Sequence, residues 1–399
     1  MNAMTTKIIF LFLLFANFAC SSIDANLPVD RSNPIRVDDL SFTPCAKWNF
    51  SVPGQISNLS ISESGKAILL SSSGEKNANG KIRLLDHMGK VLWSRTLKQP
   101  VKSQSISKDG RFIAISNYSD HLQFYTANGQ LKWEANHFGK PVFIENDRDN
   151  KPKIVLINDD DSQPGHSHFV YDFKGKLLFD DTVERILKNA DYPTNLEMSD
   201  AYVDRKTGKI SLFFTGGIMI VVDSLGTILH KWRLPEPISA VTVSEDGLYY
   251  ALTSNLLFAL GSGSSDWLWK SRLPSHGDAL AVVGDKIVVH ANAQNEQWVA
   301  AYEKNTGKPE WFYSNNEPAL VTPPFQTQRD VAIGFFDMRN NGRIQFFGLN
   351  QKGKALWAKN LFAPNGIFSM AAARPNVVIG YGAPKKGTVT YFKIAESCN

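Results

Sequence analysis

Past residue 20 the sequence has no uninterrupted apolar run long enough to cross a bilayer, so the body of the chain is expected to be soluble. Clustered basic residues are missing as well. The 43 lysines and arginines against 38 aspartates and glutamates leave a formal charge of +5, with no stripe suited to tracking phosphates. Nucleic acid is therefore not an expected partner. The sequence has no G-x-S-x-G nucleophile elbow, no H-E-x-x-H pair and no phosphate-cradling G-x-x-x-x-G-K-[ST] loop. No catalytic residue and no cofactor is assigned on this basis. What the chain does have is material for a substantial core, since 43% of its residues are hydrophobic.

Residues 1–20 read as an export signal, with Lys7 supplying the positive start and residues 8–18 an apolar run broken only by Asn17. A run this short suits secretion better than membrane spanning. Ala19-Cys20-Ser21-Ser22 resembles a bacterial lipoprotein processing site, in which Cys20 would carry the lipid; ordinary cleavage nearby, for instance after Ala25, is the other reading. Residues 21–41, with Pro28 and Pro34 among polar residues, read as a tether, and residues 42–399 as a single domain.

From residue 44 the chain repeats one four-strand unit. Its clearest part is a hairpin with a turn glycine and an aromatic residue four positions later: Gly89 and Trp93, Gly129 and Trp133, Gly175 and Phe179, Gly307 and Trp311, Gly353 and Trp357. In the fourth copy His230 stands four residues after Gly226 and the tryptophan comes two residues late at Trp232, and in the fifth Trp267 and Trp269 follow the segment 263–266. Upstream of each hairpin lie two more strand candidates, joined by turns such as Glu63-Ser64-Gly65, Lys108-Asp109-Gly110 and Glu245-Asp246-Gly247. Period-two alternation and Asp-Gly or Ser-Gly turns predict antiparallel meanders, and a repeat of roughly forty to fifty residues is that of a propeller blade.

Seven hairpins are followed by three strands without a fourth, near residues 367–372, 377–381 and 388–394. The missing strand is available around Trp48, whose surroundings repeat the style of residues 91–95. The expected fold is thus all-β: an eight-bladed β-propeller of four-stranded blades, with the N-terminal strand completing the last blade and sparing the ring an open edge. This closure brings Cys45 and Cys398 to the same seam, and in an oxidising compartment they are expected to form a disulfide worth about 2–4 kcal/mol.

Two polar segments carry possible metal donors. Asp147 and Asp149, in the segment 145–150, resemble the calcium loops of integrin-type propeller repeats but lack their usual glycine; a solvated turn is the preferred reading. His166 and His168 lie beside several aspartates in the polar segment 159–168, which reads better as an ordinary loop than as a metal site. Further polar insertions at 74–80 and 292–297 and the connection 182–199, with a short helical turn expected at 185–189, are candidate partner-binding loops.

The phrases Gly89 to Trp93, Gly129 to Trp133, Gly307 to Trp311 and Gly353 to Trp357 resemble the repeat of quinone-dehydrogenase-like (PQQ-like) propellers, D-x-x-T/N-G-K/x-x-x-W. Export signal, Cys20, tether, eight repeats and the opening Phe42-Thr43-Pro44-Cys45-Ala46-Lys47-Trp48 are similar to the plan of the BamB family of outer-membrane assembly lipoproteins. That resemblance implies a non-catalytic envelope scaffold on the periplasmic side of the outer membrane, periplasmic or secreted if not lipidated. Its implied partner is a protein such as an outer-membrane barrel-assembly subunit. The alternatives are a quinone-dependent dehydrogenase, whose frequent adjacent cysteines this chain lacks, and a ligand- or carbohydrate-binding propeller.

Overall fold

The computed structural model describes residues 22–23, 44–73, 79–118, 121–137, 139–145, 151–158, 165–261, 266–293, 296–315, 319–321, 325–326, 331–337, 343–350, 352–353, 355–362, 369–373, 376–383 and 386–397. Their strands build sheets of four antiparallel strands in up-and-down order. We number the sheets along the chain. Sheet one is Ile56–Ile61, Ala67–Ser73, Gly80–Asp86 and Val91–Thr96; sheet two is Val101–Ile106, Phe112–Asn117, Leu122–Thr126 and Leu131–Ala135. Sheet three is Lys140–Ile144, Lys153–Ile157, His166–Tyr171 and Leu177–Thr182; sheet four is Met198–Val203, Ile210–Phe214, Ile218–Val222 and Ile228–Arg233. Sheet five is Ile238–Val243, Tyr249–Thr253, Leu256–Leu260 and Trp267–Arg272, and sheet six is Ala279–Val283, Lys286–Ala293, Glu296–Glu303 and Pro309–Asn315.

Sheet seven is Ala319–Val321, Val331–Asp337, Arg343–Leu349 and Ala355–Phe362, with the short Phe325–Gln326 beside its second strand. Sheet eight joins the two ends of the domain: Ser369–Ala373, Asn376–Ala383 and Lys386–Ser397 are completed by Pro44–Pro53, antiparallel to Lys386–Ser397. The fold is all-β and propeller-like, with its first long strand paired to its last.

Burial follows strand position. Ile210–Phe214, Ile218–Val222 and Tyr249–Thr253, middle strands of their sheets, are buried at every residue. A strand covered on both faces needs apolar residues on both, which is why these read as continuous apolar runs rather than alternations. First strands such as Ile56–Ile61 and Val101–Ile106 mix buried and half-buried positions and carry the polar residues Asn58, Ser60 and Gln104. Gln104 accepts from Ser71 Oγ at 2.7 Å and donates to Leu69 O at 3.0 Å, linking sheets two and one.

The hydrophobic core lies between sheets rather than in one central mass. Separate buried clusters join sheets eight and one, one and two, two and three, three and four, four and five, and five and six. The connection expected to contain a helical turn forms the helix Val183–Asn189, capped by Thr182, whose Oγ1 accepts from Arg185 N at 3.2 Å. Its Ile186 and Leu187 are buried in the cluster between sheets three and four.

The repeat aromatic explains how neighbouring sheets lock. In all eight sheets the ladder between third and fourth strands shifts register immediately before one residue, namely Trp48, Trp93, Trp133, Phe179, His230, Trp269, Trp311 or Trp357. At Trp48, Trp93, Trp133, Phe179, Trp269 and Trp311 the extra residue turns the side chain toward the next sheet. There it lies on the next turn glycine: a Cβ on Gly89 would come within 2.7 Å of Trp48, on Gly175 within 2.6 Å of Trp133 and on Gly353 within 2.6 Å of Trp311. These glycines have positive φ (82° at Gly89), so conformation and contact both exclude a side chain. Indole Nε1 of Trp48, Trp93, Trp133 and Trp269 donates to the carbonyls of His87, Ala127, Phe173 and Lys304 in the neighbouring turns, at 2.8–3.2 Å. The aspartate three residues before a turn glycine closes that turn; Asp86 Oδ1 accepts from both Met88 N and Lys90 N at 2.9 Å.

The structure settles the degraded repeats and corrects the loop expectations. In the fourth copy the ladder puts His230 at the repeat position, as its spacing from Gly226 implies, and Trp232 is fully buried against Tyr249 of sheet five, ring centroids 5.4 Å apart. In the fifth copy the interlocking residue is Trp269, which lies on Gly307. His166 and His168 are not in a loop: both belong to the strand His166–Tyr171. The His168 ring is buried near Phe179, and burial pushes its pKa down to about 4, so it is neutral at neutral pH. The expected insertion at 292–297 is largely the tip of a long hairpin, whose strands reach Ala293 and resume at Glu296. The expected loops at 74–78 and 159–164 lie outside the described residues, as do Cys20, Cys398 and the side chain of Cys45. No cysteine pairing is seen among the described residues.

Trp133 stacks on Phe124 and Tyr171, with ring centroids 5.0 and 5.5 Å away, besides its bond to Phe173. Trp133→Ala is expected to lower stability by about 2–3 kcal/mol, read as a lower denaturant midpoint with unchanged slope. A loss below about 0.5 kcal/mol would show that this contact does not hold sheets two and three together.

A candidate interaction site at the inner turns of sheets one to four

In an up-and-down sheet the turn between first and second strands leaves from the same end as the turn glycines of the outer hairpin, but nearer the centre of the sheet array. Three of these inner turns share one construction. Gly65, Gly110 and Gly247 donate their N–H to the carbonyls of Ser62, Ser107 and Ser244 at 2.8–2.9 Å. The serine hydroxyl meets the side chain two residues on, as in Ser107 Oγ to Asp109 Oδ1 at 2.9 Å and Ser62 Oγ to Ser64 Oγ at 3.1 Å. These tight turns hold the intervening polar residues at the surface in fixed positions.

At sheets one to three the turns border a cavity of about 360 Å³ lined by Glu63, Ser64, Lys108, Asp109, Arg111, Phe112, Glu145 and Lys151, among others. Its charges bridge sheets. Lys108 Nζ lies 3.3 Å from Glu63 Oε1. Glu145 Oε1 accepts from the backbone N–H of Lys108 and from Arg205 Nη2, the latter at 3.0 Å. Arg205 Nη2 also donates to Ile106 O at 2.8 Å, and Glu145 N donates to Arg205 O at 3.1 Å. One arginine from sheet four's inner turn therefore ties sheets two, three and four. Farther round, Lys304 Nζ of sheet six bonds Asp246 of sheet five's inner turn at 2.8 Å.

Two of the cavity's three carboxylates, Glu145 and Asp109, are pulled in opposite directions. Burial raises the Glu145 pKa above the usual carboxylate range, with the Lys108 N–H and the Arg205 charge opposing it. Burial also works on Asp109, but the Arg111 N–H, the Ser107 hydroxyl and the Arg111 guanidinium outweigh it and leave Asp109 below its ordinary value. Such a mouth, apolar at Phe112 and ringed by both signs of charge, can recognise a polar segment of a partner.

The site brings together few of the residues singled out by sequence. Trp48 serves the seam between sheets eight and one, stacked on Tyr391 with centroids 5.2 Å apart and planes 5° apart. Asp147 and Asp149 lie outside the described residues, next to Glu145, and among the described residues no group of three or more His, Cys, Asp or Glu is arranged to hold a metal. Arg205 lies in the inner turn of sheet four, where Gly208 N donates to Asp204 O at 2.8 Å. The available signal was the recurrence of a charged residue at successive inner turns: Glu63, Lys108, Glu145, Arg205 and Asp246.

Residues 216–383 match a family model described as outer membrane protein assembly factor BamB. Over that segment the chain resembles BamB, a PQQ-like β-propeller. The crystal structure of BamB from Moraxella catarrhalis superposes with a TM-score of 0.61 at 16% identity, covering 90% of this chain and 99% of that one. The C-terminal WD40 domain of Sif2 superposes with a TM-score of 0.65 at 12% identity, covering 88% of this chain and 99% of that one. At such identities the likeness is one of fold. Comparison with curated protein sequences finds no match. The matched segment runs from the second hairpin of sheet four into sheet eight, and includes Trp269, Trp311 and Trp357.

Arg205→Ala removes the cation from a carboxylate whose side chain is only 17% exposed. It is expected to raise the Glu145 pKa further, measurable by carboxyl NMR titration, and to cost about 1 kcal/mol of stability. An unmoved Glu145 titration would refute the coupling.

Proposed function

We propose that the chain is a non-catalytic scaffold of the bacterial envelope, working in the assembly of outer-membrane β-barrel proteins. The observation that carries this reading is the match of residues 216–383 to the BamB family model, in a chain that opens with an export-type segment. The partner is a protein, an outer-membrane barrel-assembly subunit. The charged mouth at Lys108, Glu145 and Arg205 suits its recognition, because mixed charge gives orientation and specificity to a contact without a deep apolar pocket.

The same reading includes residues 1–20 as signal, Cys20 as lipid-bearing residue, 21–41 as tether and 42–399 as one eight-bladed ring on the periplasmic side of the outer membrane. Ring closure is supported by the antiparallel pairing of Pro44–Pro53 with Lys386–Ser397 and by the core cluster between sheets eight and one. A Cys45–Cys398 disulfide stapling the seam is part of this reading, motivated by the antiparallel pairing of Pro44–Pro53, which holds Cys45, with Lys386–Ser397, which ends one residue before Cys398. Non-reducing peptide mapping of protein exported to the envelope should recover that cross-linked pair; two free thiols there would rule the staple out.

Affinity capture from detergent-solubilised envelope, with the tether intact, is expected to recover a large outer-membrane barrel bearing periplasmic domains. Charge reversal at Lys108 and Arg205 together should weaken that recovery several-fold. Reproducible absence of such a barrel would overturn the assembly role, and turnover of a redox dye with added pyrroloquinoline quinone and calcium would favour the dehydrogenase reading instead.

A further inference from the structure

The outer strands of sheets four and five differ from the other six. Relative to the repeat aromatic, the residue before it and the residues one and three places after it fall on one side of the strand. In sheet four these are Leu229, Lys231 and Arg233 about His230; in sheet five they are Leu268, Lys270 and Arg272 about Trp269. The positions one and three places after the aromatic are Ser94 and Thr96 in sheet one, Glu134 and Asn136 in sheet two, and Asp180 and Thr182 in sheet three. They are Phe312 and Ser314 in sheet six, Ala358 and Asn360 in sheet seven, and Asn49 and Ser51 in sheet eight. The Leu-Lys-Arg stripe thus occurs twice, on adjacent sheets, and neither Ile228–Arg233 nor Trp267–Arg272 contains an acidic residue.

The stripe is presented to the outside. Leu229 and Leu268 are 37% and 52% exposed, Leu225 in the hairpin turn 59%, and Lys231, Arg233 and Arg272 are exposed. Lys270 is half-buried, its ammonium 5.6 Å from the Trp267 ring. Lys231 donates to Ala190 O and lies 3.2 Å from Asp191, which partly offsets its charge. Exposed leucines set among cations are the chemistry of a surface that rests on anionic headgroups, where the apolar groups enter the interface and the cations meet phosphate.

A second observation concerns the chain's beginning. Ser22–Ile23 adds as a parallel fifth strand to the outer edge of sheet five, Ser22 opposite Lys270 and Ile23 opposite Ser271. Cys20 lies two residues before Ser22, and two residues span at most about 7 Å. A lipid on Cys20 would hold the outer edge of sheet five at the bilayer surface.

We propose that the outer edge of sheets four and five is the face that this protein lays on an anionic phospholipid surface, with Ser22–Ile23 seating the tether there. The orientation rests on the lipid-bearing role of Cys20, whereas the affinity of the stripe does not. The test uses the signal-free chain with Cys20→Ser and co-sedimentation with vesicles of phosphatidylethanolamine and phosphatidylglycerol, against vesicles of phosphatidylcholine. Salt-sensitive binding to the anionic vesicles alone is expected, weakened at least tenfold by Arg233→Glu with Arg272→Glu. The control pair Lys90→Glu with Lys132→Glu, on the rims of sheets one and two, removes the same net charge and should change binding less than twofold. Absence of binding to anionic vesicles, or equal loss in both pairs, overturns the proposal. Intact-mass measurement of the wild-type envelope protein reports the lipid on Cys20 separately. Unlipidated protein with a binding stripe removes the anchor and keeps the rim surface; lipidated protein without stripe binding does the reverse.

Discussion

The contact between an outer-strand aromatic of one sheet and a turn glycine of the next governs how the sheets of this protein sit together. It works through two linked geometric needs. A register shift turns the aromatic toward its neighbour, and the neighbour offers a turn that only glycine can make, bare of the Cβ that would strike the ring. Where the ring is an indole, its N–H also meets a carbonyl of that turn, so the contact fixes orientation as well as distance. The arrangement is directional: at six junctions among the described residues one sheet gives an aromatic and the next receives it on a turn glycine, always in chain order.

Because the outer and middle strands supply this packing, the inner strands are released from it. Their residues can be serine, asparagine and glutamine without leaving a hole in the core, and the turns that follow them can carry charge. Lys108, Glu145 and Arg205 use that freedom. They come from sheets two, three and four, and they bond one another because the aromatic contacts have already set the distance between those sheets. The scaffold and its candidate recognition surface thus occupy different radii of the same molecule.

The fold was largely legible in the sequence because its determinants are local and repeated. Glycine at Gly89, Gly129 and Gly175 with an aromatic four residues on marks a turn and a strand without reference to any distant residue. The seam was legible for the same reason, since the surroundings of Trp48 look like those of Trp93. Even where the repeat is degraded the glycine spacing holds: His230 stands four residues after Gly226, the ladder puts it at the repeat position, and Trp232 goes to the core. Sequence reasoning went astray at His168: a polar residue beside aspartates reads as loop, although a neutral imidazole can be buried in a strand.

By itself the sequence determined the four-strand unit, the pairing of the first long strand with the last and the resemblance to BamB, because each follows from short-range pattern and chain order. Only the tertiary structure decided which charges meet at the inner mouth and which outer strands stand side by side. Arg205 and Glu145 are 60 residues apart, and the Leu-Lys-Arg stripes of sheets four and five are 39 apart, with nothing local to link them. Their proximity comes from the inter-sheet packing that sets each unit beside the next, a property of the assembled array that no single repeat contains.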